Sequence, residues 1–530
     1  MAFINEIDNE AGIFNISKDL SISDTYSYIK TKESIRASSM LQVLITSSFD
    51  YKDYRINKIL DDNMVGNLFG PFFNTKNSYF TIIDDFIIFG SSLVSLEYII
   101  DNYISKNFFS KTKTFKNLRS YFSDDANIFF YLNPSKTYEF LSSMLLDKDM
   151  SNYNADSLTK FTALTFQVNI TGNDMIHNMC LFYDENYNES IKEEWYFPLD
   201  TTTKMSPQFV YNHFTNENMI LIQDNYFNLV ALNTVGEKLW SITIDEPILS
   251  EIYTVDTYKN NRFQALFNTK NKLYLVDRNG KFVDGFPVNL PTPTLVGSSL
   301  FDYDSNKNYR IIINGNDNYL YNLDKKGTSV SGWKYLKTSD LINNNPQHFV
   351  VDDKDYILKS TNSSNTTKLL ARNGTIRSEF KDNQIFKSSV KITNNGSLYA
   401  ITNENKLWQG FVDGNTETYD LQIKNLNAKI LSFNDGFYIS DGNILHYVFN
   451  REKVPIKINF DSPIESLSYV SGFVVVISNS SLYLLKDNKL IDGFPIDTDG
   501  HFNILDIDND GKLNFINVKN GLIYNYKLIY

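Results

Sequence analysis

The chain has 530 residues, a length that predicts more than one domain. Its formal net charge of −12, without a long block of one sign, argues against nucleic acid as a partner. The single cysteine, Cys180, excludes a fold held by intrachain disulfides. No window holds the ~18 uninterrupted apolar residues of a membrane span, and the acidic N-terminus lacks the apolar core of a signal peptide.

Residues 1–190 mix helical and strand patterns, which predicts an α+β domain with an antiparallel sheet. The stretch YFTIIDDFIIFGS indicates two strands around Asp84 and Asp85. An amphipathic helix should follow, capped by Ser91 or Ser92. Its predicted apolar face consists of Leu93, Leu96, Ile100 and Ile104.

A second helix and three further strands are expected in the same domain. NPSKTYEFLSSMLL predicts a helix with Asn133 as its cap and Pro134 at its first position. IFFYL, FTALTFQVNI and MIHNMCLFYD predict strands, and the last two should pair. Cys180 is expected to be a buried core thiol, with His177 on the opposite face of the same strand, which argues against a Cys–His catalytic pair.

From about residue 193 onward the helical patterns disappear and a repeat begins. KFVDGFPV at residues 281–288 returns as KLIDGFPI at residues 489–496, and Leu-Tyr-Leu precedes each copy. Weaker forms share an apolar strand, a turn with Asn, Asp or Gly, and a second strand, at intervals of roughly 37 to 49 residues. The eight segments begin at Leu229, Leu273, Tyr319, Lys368, Leu407, Leu445, Leu482 and Leu522.

This period predicts a β-propeller over residues 193–530. A small antiparallel sheet cannot bury both faces alone, whereas radial stacking buries each face against a neighbour and closure of the ring leaves only short edges. Eight segments favour eight blades, and seven is the alternative if one segment is misassigned. An open β-solenoid or two sandwiches are the competing architectures.

The end of the chain indicates how such a ring would close. The last segment stops at Tyr530 without a fourth strand, and EEWYFPLD at residues 193–200 has no partner of its own. We expect residues 193–200 to complete the final blade and to join both ends of the domain.

Residues 200–530 resemble the quinoprotein-like and FG-GAP-like bacterial propellers. The likeness is carried by FDYDSNKNYRIIINGNDNYLYNLDKKGTSVSGW and LDIDNDGKLNFINVKNGLIYNYKL, each running from an Asp-rich turn through two strands. The resemblance implies the propeller fold. It leaves function open, because this fold serves catalysts, scaffolds and receptors alike.

The first region resembles a bacterial family known as domain of unknown function 3352, on the stretch DDFIIFGSSLVSLEYIIDNY. The resemblance implies an envelope protein with an N-terminal anchor ahead of this region. The present sequence lacks that anchor and is expected to begin partway into the domain, so a truncated start or a fragment is an open interpretation. We expect the periplasm or cell envelope if an upstream export segment is missing, and the cytoplasm otherwise.

The sharpest chemical motif is DIDNDGKLN at residues 506–514, which is similar to the front of a calcium loop. Hard oxygens at alternate positions wrap a cation, and Gly511 at the sixth position allows the turn. Asn517 stands where a bidentate Glu is usual, so the alternative is a solvated, metal-free turn. The predicted calcium ligands are Asp506, Asp508, Asp510, Lys512 through its backbone carbonyl, and Asn514.

A degenerate copy of this motif occurs at residues 302–308. Lys307 replaces the glycine, and Asn replaces Asp at two of the alternating positions, so an empty turn is the favoured interpretation. The alternating residues are Asp302, Asp304, Asn306 and Asn308.

Catalysis finds little support in the sequence. The five histidines lack metal-ligand spacing, FGSSL lacks the nucleophile elbow, and no phosphate loop occurs.

The favoured function is a non-catalytic binding or scaffolding protein of the bacterial envelope that recognises a protein or glycan through propeller loops. The alternative is a propeller enzyme, quinone-dependent or active on polysaccharide, although four tryptophans and one cysteine fit a quinone enzyme poorly. Tyr226 and Phe227 are candidate loop platforms for a ligand.

Overall fold

The computed structural model describes residues 3–15, 25–75, 77–104, 108–111, 113–123, 125–134, 160–183, 191–335, 337, 344–433, 436–449, 452–456, 458, 460 and 462–529. The chain divides into two compact units, Met1–Asn188 and Glu189–Tyr530. The helix predicted to begin at Pro134, with Asn133 as its cap, lies outside the described residues except for its first position.

The first unit contains a six-stranded antiparallel sheet in the order β1-β2-β6-β5-β4-β3. The strands predicted around Asp84 and Asp85 are its adjacent hairpin β5–β6, and Asp84 has φ of +51° at the turn. Apolar side chains alternate along these strands, so each face of the sheet receives its own cluster. The strands are β1 (Ile7–Asn15), β2 (Thr25–Thr31), β3 (Ile45–Tyr51), β4 (Tyr54–Ile59), β5 (Tyr79–Ile83) and β6 (Phe86–Gly90).

Helices cover both faces of this sheet. Ser92 caps α3, because its Oγ accepts the Ser95 N–H at 3.1 Å while Ser95 Oγ accepts the Ser92 N–H at 3.2 Å. The predicted apolar face of α3 packs into one cluster. The α-helices are α1 (Ser34–Leu41), α2 (Met64–Phe69), α3 (Leu93–Ile104) and α4 (Lys113–Leu118), and short 3-10 turns occupy Phe3–Glu6, Gln42–Leu44, Pro71–Phe73, Phe109–Lys111 and Arg119–Tyr121.

A second, three-stranded sheet in this unit has the order β7-β8-β9, with β7 at Ile128–Leu132, β8 at Phe161–Thr171 and β9 at Asp174–Tyr183. Strands β8 and β9 pair as predicted. The prediction that Cys180 is a buried core thiol is wrong, since its side chain is half-buried. Among the described strands, β9 has a neighbour on one side only, and most of its side chains are exposed.

The described residues of the second unit form eight successive antiparallel sheets, which we number in chain order. Sheet 3 shows three strands within the described residues, and in sheet 7 the short strand β38 pairs with the third strand. Sheets 1 to 4 contain β11 (Gln208–Asn212), β12 (Glu217–Gln223), β13 (Asn228–Leu232) and β14 (Lys238–Thr243); β15 (Tyr253–Val255), β16 (Gln264–Asn268), β17 (Lys272–Val276) and β18 (Val288–Asn289); β19 (Ser299–Phe301), β20 (Arg310–Asn314) and β21 (Leu320–Leu323); and β22 (Gln347–Val351), β23 (Lys354–Lys359), β24 (Lys368–Leu370) and β25 (Ile376–Glu379).

The remaining sheets follow the same order of strands, with one exception at the end of the chain. Sheets 5 to 7 contain β26 (Lys391–Ile392), β27 (Leu398–Ile401), β28 (Leu407–Gly410) and β29 (Thr416–Tyr419); β30 (Ile430–Phe433), β31 (Gly436–Asp441), β32 (Ile444–Phe449) and β33 (Glu452–Pro455); and β34 (Ser466–Val470), β35 (Phe473–Ser478), β36 (Ser481–Lys486), β37 (Lys489–Leu490) and β38 (Ile496–Asp497). Sheet 8 contains β39 (Phe502–Leu505), β40 (Asn514–Lys519), β41 (Leu522–Leu528) and, as its fourth strand, β10 (Ile191–Pro198).

Strand β10 comes from the start of the unit and pairs with β41 from its end. The pairing is antiparallel and runs from Ile191 opposite Leu528 to Pro198 opposite Leu522, with a bulge between Glu193 and Trp195. The segment expected to complete the last sheet therefore lies beside the last strand.

Apolar clusters fill the space between each sheet and the next. Eight clusters join sheets 1–2, 2–3 and so on to 7–8, and the last joins sheet 8 to sheet 1. In that last cluster Ile516 of β40 packs with Ile220 of β12. Burial of one such side chain stabilises the fold by about 1.5–3 kcal/mol, so the stacking of sheets is the main source of stability. The sheets thus form a closed β-propeller.

Tryptophans on outer strands also contact the next sheet. Trp195 of sheet 8 donates its Nε1–H to the Thr234 carbonyl of sheet 1 at 2.8 Å, and Trp240 of sheet 1 donates to the Arg278 carbonyl of sheet 2 at 2.9 Å. Each indole lies on a turn glycine so closely that a Cβ on Gly236 or Gly280 would come within 2.6–2.7 Å of the ring. These glycines are required by close approach as well as by their positive φ.

Alternating strand direction places the loops of each sheet at two edges of the ring. The loops that join first to second and third to fourth strands share one edge, which we call the first edge. The loops that join second to third strands, and one sheet to the next, share the second edge.

Candidate functional site

The predicted calcium loop lies on the first edge, between β39 and β40. The Asp506 carboxylate fixes the backbone of this loop, because Oδ1 accepts the Asp510 N–H at 3.2 Å and Oδ2 accepts the Gly511 N–H at 2.9 Å. Gly511 has φ of +85°, a left-handed conformation that glycine adopts without strain. The glycine at the sixth position therefore marks a sharp turn, as its place in the motif predicts.

The loop brings the three predicted aspartates together, and a lysine joins them. One carboxylate oxygen from each of Asp506, Asp508 and Asp510 lies within 4.8 Å of the others. Lys527 of β41 donates from Nζ to Asp508 Oδ1 at 2.9 Å and to Asp510 Oδ1 at 2.8 Å. The same Nζ donates to Asn514 Oδ1 at 3.4 Å. An ammonium group thus supplies positive charge where a bound cation would supply it.

Lys527 is 5% exposed, and an ammonium group is tolerated at such burial only with partners. Burial alone would lower the pKa of Lys527, but the hydrogen bonds to Asp510 and Asp508 outweigh it and raise that pKa. The hydrogen bond from Lys527 in turn holds the pKa of Asp510 below its usual value. Lys527 and the Asp510 carboxylate are therefore charged together at neutral pH.

The same network reaches the strand that closes the ring. Asn514 donates from Nδ2 to Glu194 Oε2 at 3.3 Å and to Asn525 Oδ1 at 3.2 Å, and Asn525 donates from Nδ2 to the same Glu194 oxygen at 3.1 Å. Glu194 lies at the bulge of β10. The aspartate loop, the last strand and the closing strand therefore share one polar network.

The five predicted ligands have different surroundings. Lys512 is exposed, and its N–H donates to Asp510 Oδ1 at 2.8 Å. Asn514 is buried and holds Lys527. The carboxylates of Asp506, Asp508 and Asp510 are the oxygens that Ca²⁺ prefers, but Lys527 engages two of them. Calcium binding stays a prediction, in which the ion would stiffen the loop after displacing the ammonium group.

Two other loops on the first edge have the same backbone design. Asp256, after β15, accepts the Asn260 N–H at 3.0 Å and the Asn261 N–H at 2.9 Å. Asp302, after β19, accepts the N–H groups of the fourth and fifth residues onward at 3.1 and 2.9 Å. The degenerate motif thus forms an ordered aspartate turn without a glycine, with Lys307 at φ of +62°.

In these loops the positive charge comes from the following sheet. Lys307 of sheet 3 donates to Asp256 Oδ2 of sheet 2 at 2.5 Å. Arg372 of sheet 4 binds Asp304 of sheet 3 and Asp355 of its own sheet, both at 2.6 Å. Burial would raise the pKa of Asp256, but the Lys307 hydrogen bond and two N–H groups lower it. These ion pairs connect neighbouring sheets.

An open groove of about 780 Å³ lies on the first edge between sheets 1 and 2. Its walls are the loops after β11, β15 and β17. Phe214 and Tyr258 are 73% and 60% exposed, and the Arg278 guanidinium lies 4.6 Å from the centre of the Phe214 ring. The other residues that carry its chemistry are His213, Arg262 and Asp277.

A second groove of about 610 Å³ lies on the same edge, within sheet 5. It is lined by the turns at residues 395–397 and 411–417, including Phe411, Asp413 and Glu417. The candidate platforms Tyr226 and Phe227 lie elsewhere, in the loop between β12 and β13 on the second edge. The sequence did not indicate either groove.

Within the described parts of the chain, the helices are all too short or too polar to cross a bilayer.

No protein-family model and no curated protein matches this chain. Among solved structures it is similar to BamB from Moraxella catarrhalis, at 14% identity and a TM-score of 0.42, with 64% of this chain and 99% of that chain covered. It is also similar to the Dos1 propeller, at 14% identity and a TM-score of 0.44, with 64% of this chain and 96% of that chain covered. For the Neurospora crassa Pan2 WD40 domain the identity is 10%, the coverage 65% and 97%, and the TM-score 0.38. Strand pairing and the packing between successive sheets define the propeller.

Proposed function

We propose that this chain is a non-catalytic binding protein whose eight-bladed propeller presents a partner site on its first edge, with an α+β domain ahead of it. A ring of stacked sheets is a rigid platform, and loops on such a platform are the usual place for recognition. The proposal assigns one of these loop surfaces, the groove between sheets 1 and 2, to a protein partner.

The observation that carries the proposal is the exposure of large side chains around one concave surface. Phe214 and Tyr258 stand on loops of different sheets and line the same groove. Aromatic and arginine side chains are enriched at protein interfaces, where they anchor a partner in a pocket. A surface of this composition, with two exposed rings beside arginine side chains, favours a protein partner over a glycan.

Photo-crosslinking in the source cell tests this function. The photoreactive residue p-benzoylphenylalanine replaces Phe214 or Tyr258 on the first edge, and Tyr226 on the second edge in a matched control. We expect a discrete protein adduct from the two first-edge positions and none from Tyr226. Equal adducts from all three positions, or adducts from Tyr226 alone, would contradict the proposal.

The cell envelope is the location we propose, on the resemblance of the first region to envelope proteins. Fractionation of the source cells with an antibody against this chain tests it. Recovery with envelope or periplasmic markers is expected, and recovery with cytoplasmic markers alone would reject the location without affecting the groove.

A further inference from the structure

The groove between sheets 1 and 2 contains two guanidinium groups that form no ion pair with a described carboxylate. Arg262 is exposed and Arg278 half-buried, and both line the groove. The described ion pairs of the chain lie elsewhere, although the chain has 62 acidic residues against 50 basic ones. Two arginines that line one groove without an ion pair to a described carboxylate leave unpaired positive charge on a chain of negative net charge.

The acidic groups nearby are already engaged. Asp277 Oδ1 accepts the N–H groups of Asn279 and Lys281 at 2.8 and 2.9 Å, which fixes the turn after β17. Asp256, whose carboxylate accepts the N–H of the lining residue Asn260, is fully buried and bound to Lys307. Asp277 keeps its charge in this turn, so the lining carries two guanidinium groups against one carboxylate and presents a net positive charge to a ligand.

The arginines stand on rigid supports. The Arg278 carbonyl accepts the Trp240 indole N–H, and its guanidinium stacks on Phe214. The Arg262 N–H donates to Asn260 Oδ1 at 3.0 Å, and its carbonyl accepts the Gln264 amide. Less conformational freedom is lost on binding when the backbone and one guanidinium are held in advance.

His213 adds a third donor. Its Nδ1 accepts the Phe263 N–H at 3.1 Å, so a neutral imidazole carries its proton on Nε2. The groove thus combines two fork-shaped cations and an imidazole donor with the exposed rings of Phe214 and Tyr258.

We infer that this groove binds an acidic segment of a partner protein, with carboxylates on Arg262 and Arg278 and an apolar side chain against Phe214 and Tyr258. The inference rests on the proposed function and names the chemistry of the partner. Guanidinium groups bind carboxylates through paired hydrogen bonds, which gives both charge and geometric selectivity. A groove of about 780 Å³ with two exposed rings suits several side chains of a peptide better than a single small anion.

Fluorescence anisotropy with the full chain tests the inference. The probes are three labelled twelve-residue peptides that share leucine and tyrosine positions and carry glutamate, glutamine or lysine at the others. We expect saturable binding of the glutamate peptide, at least tenfold weaker binding of the glutamine peptide, and weakening of the glutamate complex by salt.

Variants locate the site. The double variant Arg262→Gln/Arg278→Gln should bind the glutamate peptide at least tenfold more weakly. The matched control Lys204→Gln/Lys270→Gln removes the same charge from exposed lysines on the second edge and should bind as the wild type does. Circular dichroism and melting of both double variants check that each remains folded.

Three outcomes would overturn the inference: equal binding of the glutamate and glutamine peptides, equal loss in the control variant, or tighter binding of polygalacturonate than of the glutamate peptide. Any of these, together with a protein adduct from Phe214, would leave the proposed function standing and reject only the acidic partner.

Discussion

The aspartate loops of sheet 8 and sheet 2 share a backbone design and differ in the origin of their positive charge. In each, one aspartate accepts the N–H groups four and five residues onward. The sheet 8 loop receives Lys527 from its own third strand, whereas the sheet 2 loop receives Lys307 from the next sheet. The first arrangement reinforces one sheet, and the second ties two sheets together.

This difference shows that a calcium-like sequence pattern specifies a turn before it specifies a metal. The backbone N–H groups of the turn satisfy the first aspartate in both loops, with glycine at the sixth position in one and Asn261 in the other. In sheet 8 the carboxylates of Asp508 and Asp510 still need a cation, and in sheet 2 the buried Asp256 itself needs one. A lysine side chain meets that need in both loops, as a metal would.

The largest effect is expected from Lys527→Met. Removing the ammonium group leaves Asp508 and Asp510 close together without compensation, while Asn514 loses a donor. We expect a loss of about 2–4 kcal/mol in unfolding free energy, since a buried partner is removed from several charged groups. Calorimetric melting of the variant and the wild type measures it.

Calcium sharpens the same experiment. If Lys527 takes the cation's place, millimolar Ca²⁺ should raise the melting temperature of Lys527→Met more than that of the wild type. Lys512→Met, an exposed lysine in the same loop, is the control and should melt as the wild type does. A wild-type midpoint that falls on chelation would instead favour calcium in the native loop.

The repeat could be predicted from the sequence because the third strand of each sheet has the same local pattern. Each of the eight predicted segments begins within one residue of the third strand of a sheet. These strands are central and buried, so their apolar pattern is strong. The outer strand of sheet 2, β18, has only two residues, so the repeat there is carried by the segment KFVDGFPV that leads into it and not by a strand pattern.

The network around the aspartate loop could be predicted only in part. The order of Asp506, Asp508, Asp510 and Gly511 indicated the turn, because its contacts are local. Lys527 reads as an ordinary polar residue of a terminal strand, and its burial depends on a loop in another part of the sheet. The spacing of Trp195 and Trp240 from Gly236 and Gly280 was a usable signal for packing between sheets, since each pair lies about one repeat apart.

The groove between sheets 1 and 2 could not be predicted from the sequence, because it also depends on contacts between residues that are distant along the chain. Phe214, Arg262 and Arg278 belong to three loops whose proximity depends on the stacking of two sheets. No local pattern brings them together, and each residue alone is an ordinary loop residue.

A smaller effect is expected from Lys307→Met, which tests the tie between sheets 2 and 3. Asp256 would keep its two N–H donors but lose its cation while fully buried. We expect a loss of about 2 kcal/mol, below that of Lys527→Met because Lys307 is a third exposed and serves fewer carboxylates.

Lys326→Met is the matched control, because Lys326 is an exposed lysine of the same sheet. Hydrogen exchange of the β15–β16 and β19–β20 loops should accelerate in Lys307→Met on both sides of the interface. Acceleration in sheet 3 alone would contradict a tie between sheets and reduce Lys307 to a contact within its own loop.

The smallest effect is expected at the link between sheets 3 and 4, where Arg372 binds both Asp304 and Asp355. Burial would raise the pKa of Asp355, but hydrogen bonds from Arg372 and His348 outweigh it and lower that pKa. A carboxyl group whose pKa is lower in the folded chain than in the unfolded chain stabilises the folded state. This contribution is fully present at pH values above the unfolded-state pKa of about 3.9. This contribution is lost as the pH falls through the folded-state pKa.

Thermal melting of the wild type and of Asp355→Asn between pH 7 and pH 3 measures the contribution of the Asp355 charge to stability. We expect the variant to be about 1 kcal/mol less stable at neutral pH, since Arg372 is partly exposed and its pairing is screened. The difference should shrink below about pH 4, because the Asp355 carboxyl group of the unfolded wild type binds a proton there before that of the folded chain does. A stability difference that stays constant with pH would mean that Asp355 acts through its shape and neutral hydrogen bonds. The link between sheets 3 and 4 would then not depend on charge, in contrast to the link between sheets 2 and 3.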